Sequence, residues 1–182
     1  MVTGDPTGVE PLLALVESTM AASTTPIVFD GAEFERIPAQ LAVYRAGLAL
    51  LAGDLTGAIA HATRVLELIE PTDHLRRGSA TALMGLAHWA GGDLAAAEDC
   101  YAEAVSCFIT ADFLPDMLGC SLSLADIQIA RGKLGAARRT FQSGLRSTTE
   151  HPGLRGAADM HVGLSEVLIE HNDLDAATRH ME

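Results

Sequence analysis

Seven histidines, three cysteines and 24 carboxylates are the chain's main stock for acid–base, nucleophilic or metal chemistry. Their spacing organises none of it. His151, His161 and His171 stand ten residues apart, which leaves neighbours about 280° apart around a helix. No metal site is expected from them. Cys100, Cys107 and Cys120 are odd in number and form no CxxC, so neither a disulfide framework nor a zinc site is indicated. They read as small apolar fillers in a reducing compartment. The pair Glu98-Asp99 reads as the solvated side of a helix, not an acid–base dyad. The chain also lacks GxxxxGK[ST], GxSxG, HExxH and GxGxxG, the loops and helices that carry phosphate, acyl and zinc chemistry. A non-enzyme without metal or cofactor is expected.

Charge narrows the partners. The net charge is −12, from 24 acidic and 12 basic residues. Such a surface repels phosphate backbones, so direct nucleic-acid or anionic-membrane contact by this segment is not expected. The N-terminus carries neither a basic region nor a cleavage site. The longest apolar run, 46–52, is far shorter than the roughly 20 residues that span a bilayer. A cytoplasmic protein is expected.

The elements that must position any site come from a repeat. Ala52-Gly53-Asp54-Leu55 returns as Gly91-Gly92-Asp93-Leu94, Arg131-Gly132-Lys133-Leu134 and His171-Asn172-Asp173-Leu174. Gly53, Gly92, Gly132 and Asn172 are 39, 40 and 40 residues apart, the period of a solenoid. Gly or Asn takes the left-handed conformation that ends one helix. The Asp that follows in three copies caps the next. Leu94, Ala97, Tyr101, Ala104, Val105 and Phe108 then fall on one face at intervals of three and four. Seven residues before each turn stand Ala46, Gly85, Ala125 and Ser165, all small enough for two helices to approach closely. Ala58, Ala97 and Ala137 are expected to be buried where the second helix of a pair, helix B, meets the first, helix A. Aromatics are 4% of a 48% hydrophobic chain, so the core is expected to be mainly Leu and Ala.

In chain order, a helix is expected over 11–22, with Leu12, Leu13, Leu15, Val16 and Met20 as its apolar set. Ser23 to Pro26 break it, and Ile27-Val28-Phe29 are expected to tuck against the first repeat. Asp30 to Glu33 have capping-box spacing and start a turn of helix before Pro38. Helix pairs follow: A over 38–52 and B over 55–70; A to 90 and B over 94–110; A over 115–130 and B over 134–148. A loop at His151-Pro152-Gly153 precedes A to 170 and B from 174. The chain stops at Glu182, two turns into the last helix, as expected of a piece of a longer protein. A solenoid end without a polar cap is expected to fray or to be held by a second copy of the chain.

Small residue, Gly-Asp turn, Leu, Ala, and an aromatic four residues after the Ala (Tyr101, Phe141) form a grammar that resembles the tetratricopeptide repeat. The period is about 40 residues rather than about 34, and Pro71, Pro115 and Pro152 displace the usual closing proline into the loops after helix B. This long, Ala-rich form is similar to the tetratricopeptide-like region of large LuxR-type, MalT-like bacterial transcriptional regulators. The resemblance covers residues 38 to 182. It implies an all-α, superhelical solenoid of antiparallel helix pairs, about 3.5 repeats with the last truncated, behind an N-terminal helical segment over 1–37.

The same resemblance implies that helix A lines a concave wall. Its positions are Gln40, Val43, Gly47 and Leu50 in the first repeat and Ser79, Ala82, Leu86 and Trp89 in the second. Gly119, Leu122, Asp126 and Ile129 follow in the third, and Asp159, Val162, Glu166 and Ile169 in the fourth. Gln40, Leu50, Leu86, Trp89, Asp126, Ile129 and Glu166 are the members expected to meet a protein, a peptide or a small-molecule inducer. The Arg- and Lys-rich clamps with which tetratricopeptide adaptors grip a terminal carboxylate are missing. Trp89 fits equally as a packing residue, and His88 and Gln128 as hydrogen-bonding groups across a seam. In LuxR-type regulators such a region lies between an ATPase module and a helix-turn-helix and binds an inducer or inhibitory protein. The alternative is a free-standing tetratricopeptide scaffold that binds peptides or assembles a complex.

Overall fold

A computed structural model describes residues 8–22, 30–151 and 155–181. Among these residues there are nine α-helices and no strand. They are α1 (Val9–Ala22), α2 (Gly31–Leu51), α3 (Leu55–Leu68), α4 (His74–Ala90), α5 (Leu94–Thr110), α6 (Leu114–Ala130), α7 (Leu134–Glu150), α8 (Ala157–Glu170) and α9 (Leu174–Met181). Each helix packs on the next in sequence, and α2 also touches α4 as α6 touches α8. The result is a solenoid of antiparallel pairs: α2, α4, α6 and α8 are the A helices, α3, α5, α7 and α9 the B helices. No described helix is long and apolar enough to cross a membrane.

The turn chemistry expected from the repeat is present. Gly53, Gly92 and Gly132 have φ of 76°, 84° and 71°, and Asn172 has 57°. In the second copy Gly92 N donates to Trp89 O at 3.0 Å and Asp93 N to His88 O at 2.9 Å, which satisfies two carbonyls at the end of α4. Asp54, Asp93 and Asp173 then cap α3, α5 and α9 by accepting from Gly57 N at 2.8 Å, Ala96 N at 3.0 Å and Ala176 N at 3.2 Å. The third copy has Lys133 in place of the Asp, and α7 has no side-chain cap.

That lysine does something else, and it corrects the reading of Glu98 as a solvated carboxylate. Lys133 Nζ donates to Glu98 Oε2 at 2.9 Å, and Arg131 Nη1 donates to the same oxygen at 2.5 Å. Glu98 lies on α5, so the turn of one repeat is pinned to the B helix of the preceding one. Its side chain is 12% exposed. Burial alone would raise its pKa, but the Lys133 hydrogen bond and the two cations hold it below its ordinary 4.5.

Helix A of the first repeat does not begin at Pro38. Asp30 Oδ1 accepts from Ala32 N at 2.9 Å and Glu33 N at 3.1 Å, and α2 runs from Gly31 through Pro38. The cap and first turn offset the one hydrogen bond that Pro38 cannot donate. The apolar set assigned to the first helix is also corrected. Of it only Leu13 is buried in α1, while Leu12 and Leu15 are 61% and 60% exposed. Ions fasten α1 instead: Arg45 on α2 donates to Glu10 at 3.0 Å and to Glu17. The break over 23–26, the segment Ile27-Val28-Phe29 and Pro152-Gly153 lie outside the described residues.

The pairs close over small residues. Ala58, Ala97 and Ala137 are all 0% exposed. Ala46, Gly85, Ala125 and Ser165 are buried too. Rings lie over the glycines: a Cβ on Gly85 would stand 2.9 Å from the Tyr101 ring, one on Gly78 3.0 Å from Phe108, and one on Gly163 2.3 Å from Phe141. One core cluster joins these rings with Met160, Leu164 and Leu168; a smaller one around Ala46, Ala62 and Val65 holds the first repeat.

Gly163→Ala should cost about 1–3 kcal/mol, because its Cβ would stand 2.3 Å from the buried Phe141 ring and force that ring to shift. Gly119→Ala, which meets open space on α6, should gain about 0.5–1 kcal/mol from helix propensity. Denaturant titrations of the two variants check the order, and equal stabilities would refute the close packing over Gly163. For Glu98 the sign follows from its depressed pKa: its contribution is present above pH 4.5 and is lost as pH falls through the folded value. Glu98→Gln should therefore flatten the acid limb of the melting temperature against pH; an unchanged limb would contradict the pinned seam.

Candidate binding groove on the helix-A wall

The spacing of Val43, Gly47 and Leu50 sets them on one face of α2. Leu83, Leu86 and Ala90 answer from α4, and between the two helices lies a cleft of about 790 Å³. Gly47 keeps it open, having nothing within 4 Å of where a Cβ would be. Val9 of α1, Leu55 of α3, and Tyr44 and Leu51 of α2 also line it. Leu51 is 77% exposed, Tyr44 52% and Leu86 43%. Large side chains this open, grouped in one place, make this groove the candidate site. Of the expected wall positions, Val43, Gly47, Leu50 and Leu86 are here. Tyr44, Leu51 and Leu83 were missed by assigning only four wall positions per helix; the lining is wider than that stripe.

The second half of the wall differs. Leu122 and Asp126 on α6 face Asp159, Val162 and Glu166 on α8 across a cleft of about 300 Å³, floored by Phe141 and Gly163. A smaller cleft of about 240 Å³ adjoins it between Ile129, Glu166 and Ile169. Glu166 thus shares one cleft with Asp126 and the other with Ile129. Partial burial, and then the charge of Glu166, raise the Asp126 carboxyl above its ordinary pKa. Neither α6 nor α8 contains a Lys or Arg.

Gln40 and Trp89 border none of these clefts. Gln40 is half-buried on α2. The half-buried Trp89 ring meets buried Tyr101 edge-on, with centroids 6.3 Å apart at 88°, and packs against the main core cluster. Its place is the α4–α5 contact within one repeat. Gln128 likewise works inside its own repeat, where its Oε1 accepts from Thr140 on α7 at 2.9 Å.

Two titratable sets remain. His161 on α8 and His180 on α9 meet Nδ1 to Nδ1 at 2.9 Å, a pairing that 19 residues of separation concealed. Burial, then the charges of His161, Arg179 and Arg138, lower the pKa of His180. These arginines make the pair a poor cation site, and no cluster of three metal-ligating groups occurs among the described residues. The cysteines are free, and burial raises all three thiols, Cys120 to about 12. They lack thiolate character at neutral pH, in line with a filling role.

With this geometry, comparison with known proteins is informative. The family model of the MalT-like TPR region matches residues 39–182. The chain belongs to that family. No curated protein matches its sequence. The MalT-like TPR region is similar in fold to the apo form of RapI, at 11% identity and a TM-score of 0.73, covering 94% of this chain and 46% of that one. It is similar to BtubC from P. vanneervenii at 14% identity and a TM-score of 0.74, covering 94% and 69%. A third likeness is the Rap conjugation gene regulator of plasmid pLS20, solved with the Phr* peptide: 14% identity, TM-score 0.61, 97% and 52% covered. The chain thus spans about half the length of the two Rap proteins.

Trp89→Ala tests the placement of the indole. The variant should lose about 2 kcal/mol of stability through the lost Tyr101 contact while keeping its helical circular dichroism. Wild-type stability would move Trp89 out of the core.

Proposed function

We propose that this MalT-like TPR region is the non-catalytic protein-interaction or inducer-sensing segment of a LuxR-type, ATP-dependent transcriptional regulator acting in the cytoplasm. The open apolar groove between α2 and α4, with Leu50 and Leu86 in its walls, carries the proposal. Clefts of that size, mainly apolar, suit a peptide side-chain cluster or a small ligand. The pLS20 regulator with its Phr* peptide supports a peptide or protein as the ligand. Leu86 on α4, Asp126 and Ile129 on α6 and Glu166 on α8 continue the binding wall. The net charge of −12 supports leaving DNA contact to another module. The exposed Leu174 and Met181 on α9 offer a surface for self-association. The alternative is a free-standing TPR scaffold that binds peptides or assembles a complex.

Two observations test this reading. The full coding sequence should hold a phosphate-binding loop upstream and a helix-turn-helix downstream; their absence gives the scaffold reading the advantage. For the groove, the chain should enhance the fluorescence of the neutral apolar dye Nile red, and Leu50→Glu with Leu86→Glu should abolish the enhancement without loss of helicity. Unchanged dye binding by the double variant would overturn the groove.

A further inference from the structure

Given a helix-A wall that binds a partner, we propose that its α6–α8 half selects a cationic amphipathic peptide segment of another protein. Its apolar side chains would sit on Leu122, Val162 and Ile169, and its Lys or Arg side chains between Asp126 and Glu166. The charge pattern motivates this. Asp116, Asp126, Asp159, Glu166 and Glu170 lie on α6 and α8, which contain no Lys or Arg. Several carboxylates elsewhere are matched: Glu98 with Arg131 and Lys133, Glu10 and Glu17 with Arg45, Glu103 with Arg77. Asp126 and Glu166 have no such ion pair among the described residues, and partial burial, then the nearby Glu166 charge, raise the pKa of Asp126. Beside them Val162 is 45% and Ile169 54% exposed. Neither feature helps the fold by itself. A segment with both apolar and basic side chains satisfies both, since opposite charges across an interface select the partner and its orientation.

Two other occupants fit less well. The chain's own segments 1–7, 23–29 and 152–154 contain no Lys or Arg. A second copy could offer Arg138, Arg139 and Arg146 of α7, but no large hydrophobic side chain is exposed on that helix; its α9 exposes Leu174 and Met181 but brings a single Arg179 together with Asp175, too little positive charge for two carboxylates.

The test uses the whole chain and two synthetic helical peptides, one of Leu and Lys and one of Leu and Glu, followed by fluorescence anisotropy. The Lys peptide should bind, more weakly at high salt, and the Glu peptide should not. Asp126→Asn with Glu166→Gln should weaken the Lys peptide about fivefold, the size expected of two exposed charge contacts, with an unchanged or higher melting temperature. Glu166→Gln alone should give a smaller drop in the same direction. Asp99→Asn with Glu150→Gln, on the B helices, changes the net charge equally and should leave binding unaltered. Equal weakening by both double variants would mean diffuse attraction and overturn the proposal. If both peptides bind alike and Leu86→Glu weakens both, the groove stands and the charge selection falls. If neither binds, both fall. A dimer in sedimentation that Arg138→Ala with Arg146→Ala dissolves would put a second copy on the wall and overturn the peptide assignment.

Discussion

The close approach of helix A to helix B is the constraint from which the rest follows. With aromatics at 4% of the chain, the core cannot be filled by many large side chains. It is built from alanines at 0% exposure and glycines roofed by rings, Gly85 under Tyr101 and Gly163 under Phe141. Short separation gives each backbone atom many dispersion contacts, individually small and collectively large. It also leaves no tolerance: a single methyl at Gly163 would occupy space already held by Phe141.

Such packing requires each pair to enter at the same angle, and the turns supply this. A left-handed Gly or Asn, two backbone hydrogen bonds and a capping Asp repeat with little variation. Where the third turn replaces Asp by Lys133, the lost cap is offset by an ion pair to Glu98 on the preceding B helix. One residue type is exchanged for another, and a bond within a repeat becomes a bond between repeats.

Open clefts appear where this packing ends. The A helices bury one stripe against their B partners and leave another outward. In α2 and α4 that stripe is apolar and wide enough to form a cleft. In α6 and α8 it mixes isoleucine, valine and leucine with unmatched carboxylates. The wall is therefore graded along the solenoid, from apolar to acidic, although one repeat grammar generates all of it.

Much of this was legible in the residues. Helix number, turn positions and the buried alanines follow from period and spacing, because hydrogen bonding and side-chain direction within one or two turns are local properties; the placing of Asp126, Ile129 and Glu166 on one wall rests on the resemblance to the tetratricopeptide repeat. Only the tertiary structure decided the rest. Glu98 with Lys133 and His161 with His180 are 35 and 19 residues apart, and which side chains meet at such separations depends on how helices stack. Trp89 had two open readings until the position of Tyr101 assigned its ring to the core. Pro38 signalled a helix start, but Asp30 caps an earlier one. The apolar face of α1 signalled burial, but no described element covers Leu12 and Leu15. Periodicity identifies the face that can be buried; only the neighbours, brought near by folding, decide whether it is.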